Sequence, residues 1–396
     1  MKILILQNTS FSQKASNSFY WVYAQLTEWL TAQGFLSELH FCYLNVADME
    51  YETGLLLPDK IATFYSPHNI DAICEFIGKN KIDVLFDFSH IITGDVKRFF
   101  MEIRKRHPQL VLLTMIHSCP NHTIQLKQYE LSQMKWSDVH SLKQFIQWTA
   151  PKFYMFLLKQ EVKRQNRSAY DTLDEVVLLA PAYLPEFRAL IGIPDANRIS
   201  AIPNAIRPVK SHIPIPEKEK QIIFVGRIER EKALPKLLKI WEMVQEQLPD
   251  WRLTIVGKGS YYEQCQQIIE KKQLKRVTMT GWQMAIPYID KSSILCLTSV
   301  IEGLPSVFIE AMSMGVIPIG FDSFAAIHEI IDHGKNGFII AEDNYEQYAG
   351  TILKLASDDA LRIRIATTAQ EGICKYTIDR IGPLWLEVFK KHGLIP

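Results

Sequence analysis

Short uninterrupted apolar runs alternate along the chain with longer segments whose apolar residues recur every three or four positions. Runs of the first kind suit strands covered on both faces and the second suit amphipathic helices, so the pattern predicts α/β layering about parallel sheets. In the first half, KILIL, KIDVLFDF, QLVLLTMI and DEVVLLA are expected strands. Between them, SNSFYWVYAQLTEWLTAQG has helical spacing and ends on Gly34, a suitable C-terminal cap. Prolines at 203, 208, 214 and 216, followed by four consecutive charged residues, mark a connection. Beyond it, QIIFVG, WRLTIVG, RVTMTG, SILCLT, GVIPIG and GFII form a second series of strands, each followed by a helical stretch. Gly226, Gly257 and Gly281 end three of these strands, where a tight turn or a closely approaching ligand is expected. The final stretch, YTIDRIGPLWLEVFKKHG, reads as an amphipathic helix that either closes the second domain or crosses back onto the first. The expected domains are residues 1–200, joined by the helix 377–396, and residues 201–376.

A length of 396 residues exceeds what one ordinary core serves and fits the two-domain reading. With 47% hydrophobic and 22% charged residues the composition is globular. A formal net charge of +1 gives no overall field toward nucleic acid, so no nucleic-acid partner is expected. The opening MKILILQNTS is too short in its apolar part for a signal peptide, and no apolar run reaches the roughly 18 residues of a membrane span. Six cysteines without a C-x-x-C pair suggest buried thiols in a reducing compartment, rather than disulfides or a zinc site. A cytoplasmic location is the expectation.

Candidate chemistry concentrates in SVIEGLPSVFIEAMSMGVIPIG, residues 299–320. Glu302 ends a strand-to-helix turn, and Glu310 follows after seven residues. Pro305 suits the first helical position, so a helix starting there offers backbone N–H groups near Ser306 and Val307 to an anion. Carboxylates accept paired hydrogen bonds from vicinal hydroxyls, which a sugar or a ribose presents. A capping role for Glu310 and a solvated turn for Glu302 is the alternative reading. In FVGRIEREKAL, Arg227 follows the strand-ending Gly226 and Lys232 opens the next helix, where a cation opposes the helix dipole. Both make sense around a diphosphate, Arg as a bidentate fork and Lys as a point charge. Simple pairing with Glu229 and Glu231 is the competing explanation.

The ordered set of Gly226–Arg227–x4–Lys232, IPNAI at 202–206, LTIVGKG at 253–259, TGW at 280–282, Glu302–x7–Glu310 and IIDHGKNGFII at 330–340 resembles retaining glycosyltransferase family 4. The resemblance is specific over roughly residues 200–345. It implies the GT-B fold: two doubly wound Rossmann-like domains facing across a cleft. It implies that Arg227 and Lys232 bind the donor diphosphate, Glu310 the ribose hydroxyls and Glu302 the transferred sugar. Amides of Gly303 and Leu304 would help position that sugar, and the loop from Gly281 through Trp282 to Met284 would edge the base. His117, ending an N-domain strand, matches a family position that reaches the donor sugar. Many relatives carry paired glycines after the first strand; here Ser16, Asn17 and Ser18 stand there, which puts the acceptor side in question. The implied chemistry needs no cofactor and no metal beyond the nucleotide-sugar, preferentially a UDP-sugar, and the sequence has no suitably placed D-x-D.

The family resemblance also implies a saccharide or lipid-linked acceptor in cell-surface polysaccharide or glycoconjugate synthesis. Residues 143–167 hold six basic residues and one acidic, interleaved with Trp148, Phe153, Tyr154, Phe156 and Leu157. Such a segment either lies on an anionic membrane surface at the inner face of the cell membrane, or buries its apolar face in an ordinary helix packing. KRFFMEIRKRH at 97–107 is a second basic patch. Two rival functions keep the same architecture: a nucleotide-sugar epimerase, and a donor-binding protein without transfer activity. G-x-G-x-x-G is absent after every strand, which disfavours a dehydrogenase.

Overall fold

In a computed structural model the chain divides into two compact units, Met1–Ala205 with Ile378–Pro396, and Ile206–Thr377. The structure describes residues 1–6, 18–36, 38–44, 54–59, 66–87, 94–134, 136 and 139–396.

The first unit runs β1 (Lys2–Leu6), α1 (Ser18–Ala32), β2 (Glu38–Leu44), β3 (Gly54–Leu57), α2 (Pro67–Asn80), β4 (Val84–Asp87), α3 (Gly94–Arg106) and β5 (Val111–Ile116). It continues through α4 (His122–Gln133), α5 (Leu142–Thr149), α6 (Pro151–Thr172), β6 (Glu175–Leu178), α7 (Tyr183–Ile191) and β7 (Ile199–Ala201). Its seven strands lie in the order β3-β2-β1-β4-β5-β6-β7, and every pairing is parallel. Strands β4 and β6 are buried at every position, in keeping with their mostly apolar sequences. Phe99, Phe100 and Ile103 of α3 fill the core beside Leu85 and Leu112. α1 ends with Gly34 at φ +78° and a bond from the Phe35 amide to the Leu30 carbonyl, which satisfies the last turn.

β2, β3 and β7 were not among the expected strands. β2 alternates polar and apolar residues, β3 is four residues long, and β7 lies inside the stretch read as a connection. All sit toward the sheet's margins, where burial is only partial.

The second unit runs β8 (Gln221–Val225), α8 (Leu234–Val244), β9 (Arg252–Val256), α9 (Tyr262–Lys271), β10 (Val277–Met279), α10 (Ile286–Lys291) and β11 (Ile294–Leu297). It ends with α11 (Ser306–Ser313), β12 (Ile317–Phe321), α12 (Ile327–Ile330), β13 (Phe338–Ile340), α13 (Tyr345–Ser357) and α14 (Asp359–Gly372). Six parallel strands follow the order β10-β9-β8-β11-β12-β13, so the chain reverses direction across the sheet between β8 and β11. Tyr348 of α13 fixes that helix to the sheet by donating its hydroxyl to the Ile319 carbonyl at 2.7 Å. The two doubly wound units are those of the GT-B fold.

The last helix, α15 (Ile378–Lys391), belongs to the first unit and packs on α1. Ile381, Trp385, Val388 and Phe389 are its buried face, and Gly382 lies against the Trp29 ring, where a Cβ would come within 2.6 Å. Beyond that face Lys391 reaches Glu175 at 2.7 Å, with His392 at 3.1 Å and the Ser200 hydroxyl at 2.6 Å. Glu175 is wholly buried at the start of β6. Burial alone would raise its carboxyl pKa, but the bonds from His392, Lys391 and Ser200 outweigh it and leave the pKa lowered.

A carboxyl held low in the folded state contributes stability above its unfolded pKa of about 4.3 and loses it as pH falls through the folded value. Replacing Glu175→Gln is therefore expected to cost about 3 kcal/mol at pH 7, the scale of breaking a buried pair. In urea titrations the gap from the parent protein should stay level between neutral pH and the glutamate range, then close in stronger acid. A gap unchanged down to that acid would mean that the charge on Glu175 contributes nothing.

Candidate functional site

An open parallel sheet offers its ligand crevice at the carboxyl ends of the strands where the order reverses, because the flanking helices leave on opposite faces there. In the second unit that point lies between β8 and β11. The loop after β8 carries Gly226, Arg227 and Lys232, and the loop after β11 carries Glu302, Gly303 and Leu304.

Backbone bonds stitch these loops together. The Gly226 amide donates to the Val256 carbonyl at 3.1 Å, Ile228 to Lys258 at 3.0 Å, and Gly257 to Gly281 at 2.9 Å, so the ends of β8, β9 and β10 form one continuous rim. Two glycines make this approach possible. A Cβ on Gly257 (φ +145°) would stand 1.9 Å from the Gly226 carbonyl oxygen, and one on Gly259 would stand 2.4 Å from that of Ile228. The glycine spacing of VGKG is thus set by backbone meeting backbone. Glu229 accepts bonds from the Ser260 amide and hydroxyl, which hold its carboxyl pKa below the usual range and clamp the β8 loop to the β9 loop. Toward β11, the Val300 amide donates to the Glu231 carbonyl at 2.8 Å, and the Thr298 hydroxyl to the Ala233 carbonyl at 3.2 Å.

That last tie delivers Lys232 to Glu302: Nζ and Oε1 are 2.7 Å apart. Glu302 is 9% exposed and the Lys232 side chain 20%. Neither nearby glutamate takes Lys232, contrary to the simple-pairing alternative. Glu231 lies 3.8 Å from Arg227, whose side chain is 76% exposed and projects into solvent. Lys232 itself stands in a short 3-10 helix, Arg230–Lys232, with Ala233 at φ +46° before α8 begins. Its place two residues ahead of the α-helix relaxes the dipole conflict expected from the sequence.

α11 starts at Ser306, and Pro305 is its N-cap at φ −67° and ψ 98°, one position earlier than the first helical turn expected for it. The backbone N–H groups of Ser306 and Val307 fall in the first turn, which has no intrahelical acceptor for them. Glu310 lies one turn on and is half-buried. Burial pushes its carboxyl pKa up, partly offset by the Ser306 hydroxyl bonded to it. Gly303 and Leu304 are buried at the turn, while Trp282 and Met284, in the loop after Gly281 (φ +72°), are exposed.

Ser299 escaped the sequence reading. It stands two residues beyond β11 and is 2% exposed, its hydroxyl oxygen has no hydrogen-bond partner among the described residues, and its carbonyl accepts from Ser323 at 2.6 Å. Nothing in its sequence spacing separates it from an ordinary strand-end serine. His117 directly follows β5 in the first unit, partly buried. Ser16 and Asn17 lie outside the described residues, and Ser18 is described only as the first residue of α1.

Comparison with known proteins supplies a context for this geometry. Residues 207–372 match the family described as Glycosyl transferases group 1. An uncharacterized glycosyltransferase of Haemophilus influenzae is 28% identical over 228 residues, 55% of this chain and 61% of that protein. The lipopolysaccharide 1,6-galactosyltransferase of Salmonella typhimurium is 28% identical over 173 residues, 42% of this chain and 48% of that one. The matched stretch thus spans roughly half of the curated relatives' length. Among solved structures, Anabaena Alr3699/HepE in complex with UDP and glucose superposes with a TM-score of 0.70 over 99% of this chain and 100% of that chain, at 14% identity. That likeness is one of fold.

Two glycine substitutions separate close approach from dihedral preference. Gly281→Ala meets open space and pays only for a left-handed backbone, about 1–2 kcal/mol. Gly257→Ala also drives a methyl into the Gly226 carbonyl and is expected to cost at least about 3 kcal/mol. Equal losses in thermal or urea unfolding would show that the rim is not held by this contact.

Proposed function

Since residues 207–372 match the group 1 glycosyltransferase family, we propose that the chain transfers a sugar from a nucleotide-diphosphate sugar to a saccharide or lipid-linked saccharide acceptor in bacterial cell-surface polysaccharide synthesis. The observation that carries this reading is the Lys232–Glu302 pair at the strand-order reversal, with Glu310 on the helix that follows. A lysine has three donors and a carboxylate accepts about four bonds, so the pair can each keep one bond and turn the rest to a ligand. Lys232 then faces the diphosphate, joined by the outward Arg227, and Glu302 takes hydroxyls of the transferred sugar. First-turn amides at Ser306 and Val307 suit an anion. Glu310 suits the vicinal hydroxyls of a ribose, Gly303 and Leu304 the sugar, and the rim from Gly281 to Met284 the base. UDP is the preferred nucleotide, supported by the UDP held in the Anabaena relative.

In the proposed reaction the bond from the anomeric carbon to the diphosphate oxygen breaks. The acceptor oxygen bonds to that carbon on the same face, and the acceptor proton passes to the departing diphosphate. Cations set in advance beside the developing charge lower the barrier, with no metal or other cofactor required. A cytoplasmic location is part of the same reading.

Release of nucleoside diphosphate from UDP-, GDP- and ADP-sugars tests this. One donor is expected to turn over slowly without acceptor and unchanged by EDTA, with Lys232→Ala losing about 100-fold or more in rate. His117→Ala in the same panel tests the first unit's contribution. Failure of every donor to bind would remove the reading, and release abolished by EDTA would remove metal independence.

Glu310 supplies a second, independent check. Because burial raises its pKa, it costs stability when ionised at neutral pH, and donor binding should weaken with acid above the ordinary glutamate range. Glu310→Gln is expected to raise the melting temperature while weakening the donor at least tenfold in Kd. A variant both less stable and fully active would show Glu310 to be a packing residue.

A further inference from the structure

Amphipathic helices in a folded unit turn their apolar face inward, and α5 does the reverse. Its one buried residue is Gln147, 4% exposed, while Leu142, Phe145, Ile146 and Trp148 are between 41% and 76% exposed. The first three turns of α6, residues 151–161, contain no buried side chain, and Phe153, Phe156 and Leu157 are 49% to 59% exposed. Only from Val162 onward does α6 bury residues, at Val162, Asn166, Ala169 and Tyr170. Each helix presents an i, i+3, i+4 apolar triad: Leu142, Phe145 and Ile146 on one, Phe153, Phe156 and Leu157 on the other. Trp136 adds to it, its ring 5.0 Å from Trp148 and 6.5 Å from Phe145. Leaving this much aromatic surface in water is costly at about 25 cal/mol per Å², and single exposed apolar residues do not cluster this way.

Charge indicates what covers the patch. Lys143, Lys152, Lys159 and Lys163 are exposed and form no ion pair among the described residues, whereas Arg164 and Arg167 are matched by Glu161 and Asp171. The basic patch at 97–107 differs. Arg104 and Arg106 are bound to Asp174 and to Asp71 and Glu102, and Phe99, Phe100 and Ile103 are core, so that stretch packs within its own unit. No helix among the described residues is long and apolar enough to cross a membrane.

We propose that α5 and the first three turns of α6 form a monotopic docking surface for an anionic phospholipid bilayer. Leu142, Phe145, Ile146, Phe153, Phe156 and Leu157 enter the interfacial layer, Trp136 and Trp148 sit at headgroup depth, and the four lysines meet lipid phosphate. Aromatic rings favour that depth, and lysine stems lie along apolar surface while their ammonium groups stay wet. Each lysine near a negatively charged leaflet adds about 1 kcal/mol of attraction, and the apolar triads supply the penetration. A lipid-linked acceptor would then be met where it is held, so docking deepens the reading of the donor site without depending on it.

Flotation of the full chain with vesicles tests the surface. Vesicles of phosphatidylcholine with 30 mol% phosphatidylglycerol should carry the protein to the top of the gradient, and pure phosphatidylcholine at least tenfold less. The triple change Leu142→Ser, Phe145→Ser, Phe156→Ser should abolish flotation with the melting temperature unchanged, since all three side chains are exposed. Lys143→Glu with Lys152→Glu should reduce binding to anionic vesicles alone. Emission from Trp136 and Trp148 should be quenched by bilayers of brominated lipid, seen as the difference from Trp136→Phe, Trp148→Phe protein. Parent protein that stays at the bottom of the gradient with both vesicle compositions would overturn the proposal. So would a dimer in analytical ultracentrifugation that the triple change converts to monomer, because a second copy would then be the occupant. Donor binding measured on the same preparation without lipid keeps the two readings apart: protein that binds donor but never floats loses only the docking surface.

Discussion

A parallel sheet whose strand order reverses must send its crossover helices to opposite faces, and the carboxyl edge between the two central strands is left uncovered. In the second unit that requirement falls on β8 and β11, and most of the candidate chemistry hangs from it. Side chains at such an edge need a frame, because loop backbone without partners does not hold a charge in place. The frame here is the run of bonds joining the loops after β8, β9 and β10, which exists only because Gly257 and Gly259 let carbonyls occupy the space of a side chain. Lys232 and Glu302, seventy residues apart in sequence, meet at the end of that chain of constraints.

What could be seen in the sequence follows from which signals are local. Most strands of the second unit are apolar runs buried along their length and were legible as such; the edge strand β10 is only partly buried and was legible from its short run ending on a glycine. β2 alternates polar and apolar residues, β7 is three residues long, and β3 is an apolar run of only four, so none of the three was read as a strand. At the site, positions were legible and partners were not. Arg227 and Lys232 stand at strand-end loops as their spacing indicates. That Glu229 is consumed by Ser260, or that Glu302 rather than Glu231 takes Lys232, depends on loops brought together from distant segments. Pro305 shows a finer limit: N-cap and first helical residue differ by one position and by ψ alone, which propensity does not resolve. Ser299 illustrates the opposite case, a residue of ordinary spacing whose burial only the fold determines.

The electrostatics of the two glutamates differ for a physical reason. Glu302 is buried beside a cation, the Lys232 ammonium at 2.7 Å. Glu310 is half-buried and, among the described residues, has the Ser306 hydroxyl bonded to its carboxylate; desolvation prevails and its pKa rises. A carboxylate held without a matching cation is a cost the fold carries, of the kind that concentrates at binding sites. Glu175 in the first unit is the contrasting arrangement: fully buried, yet bonded by Lys391, His392 and Ser200 until the pKa falls. Burial alone therefore does not set the direction of the shift; the cations and donors around the carboxyl do.

The same reasoning separates two helices that a sequence pattern makes alike. α5 and α15 are both amphipathic. α15 lays Ile381, Trp385, Val388 and Phe389 against the first unit, with Gly382 fitted to Trp29 and Lys391 reaching Glu175 beyond the apolar face. Its apolar and charged features are answered by parts of the same unit. α5 has the same kind of stripe but buries Gln147 in its place, and Lys143, Lys152, Lys159 and Lys163 form no ion pair among the described residues. Periodicity says only that a helix has two faces. Which face is turned inward is decided by what the topology sets opposite it, and for α5 the unit supplies no apolar surface. A helix in that position needs an environment that is apolar within a few ångströms and anionic just outside, and the interfacial layer of a charged bilayer has that profile.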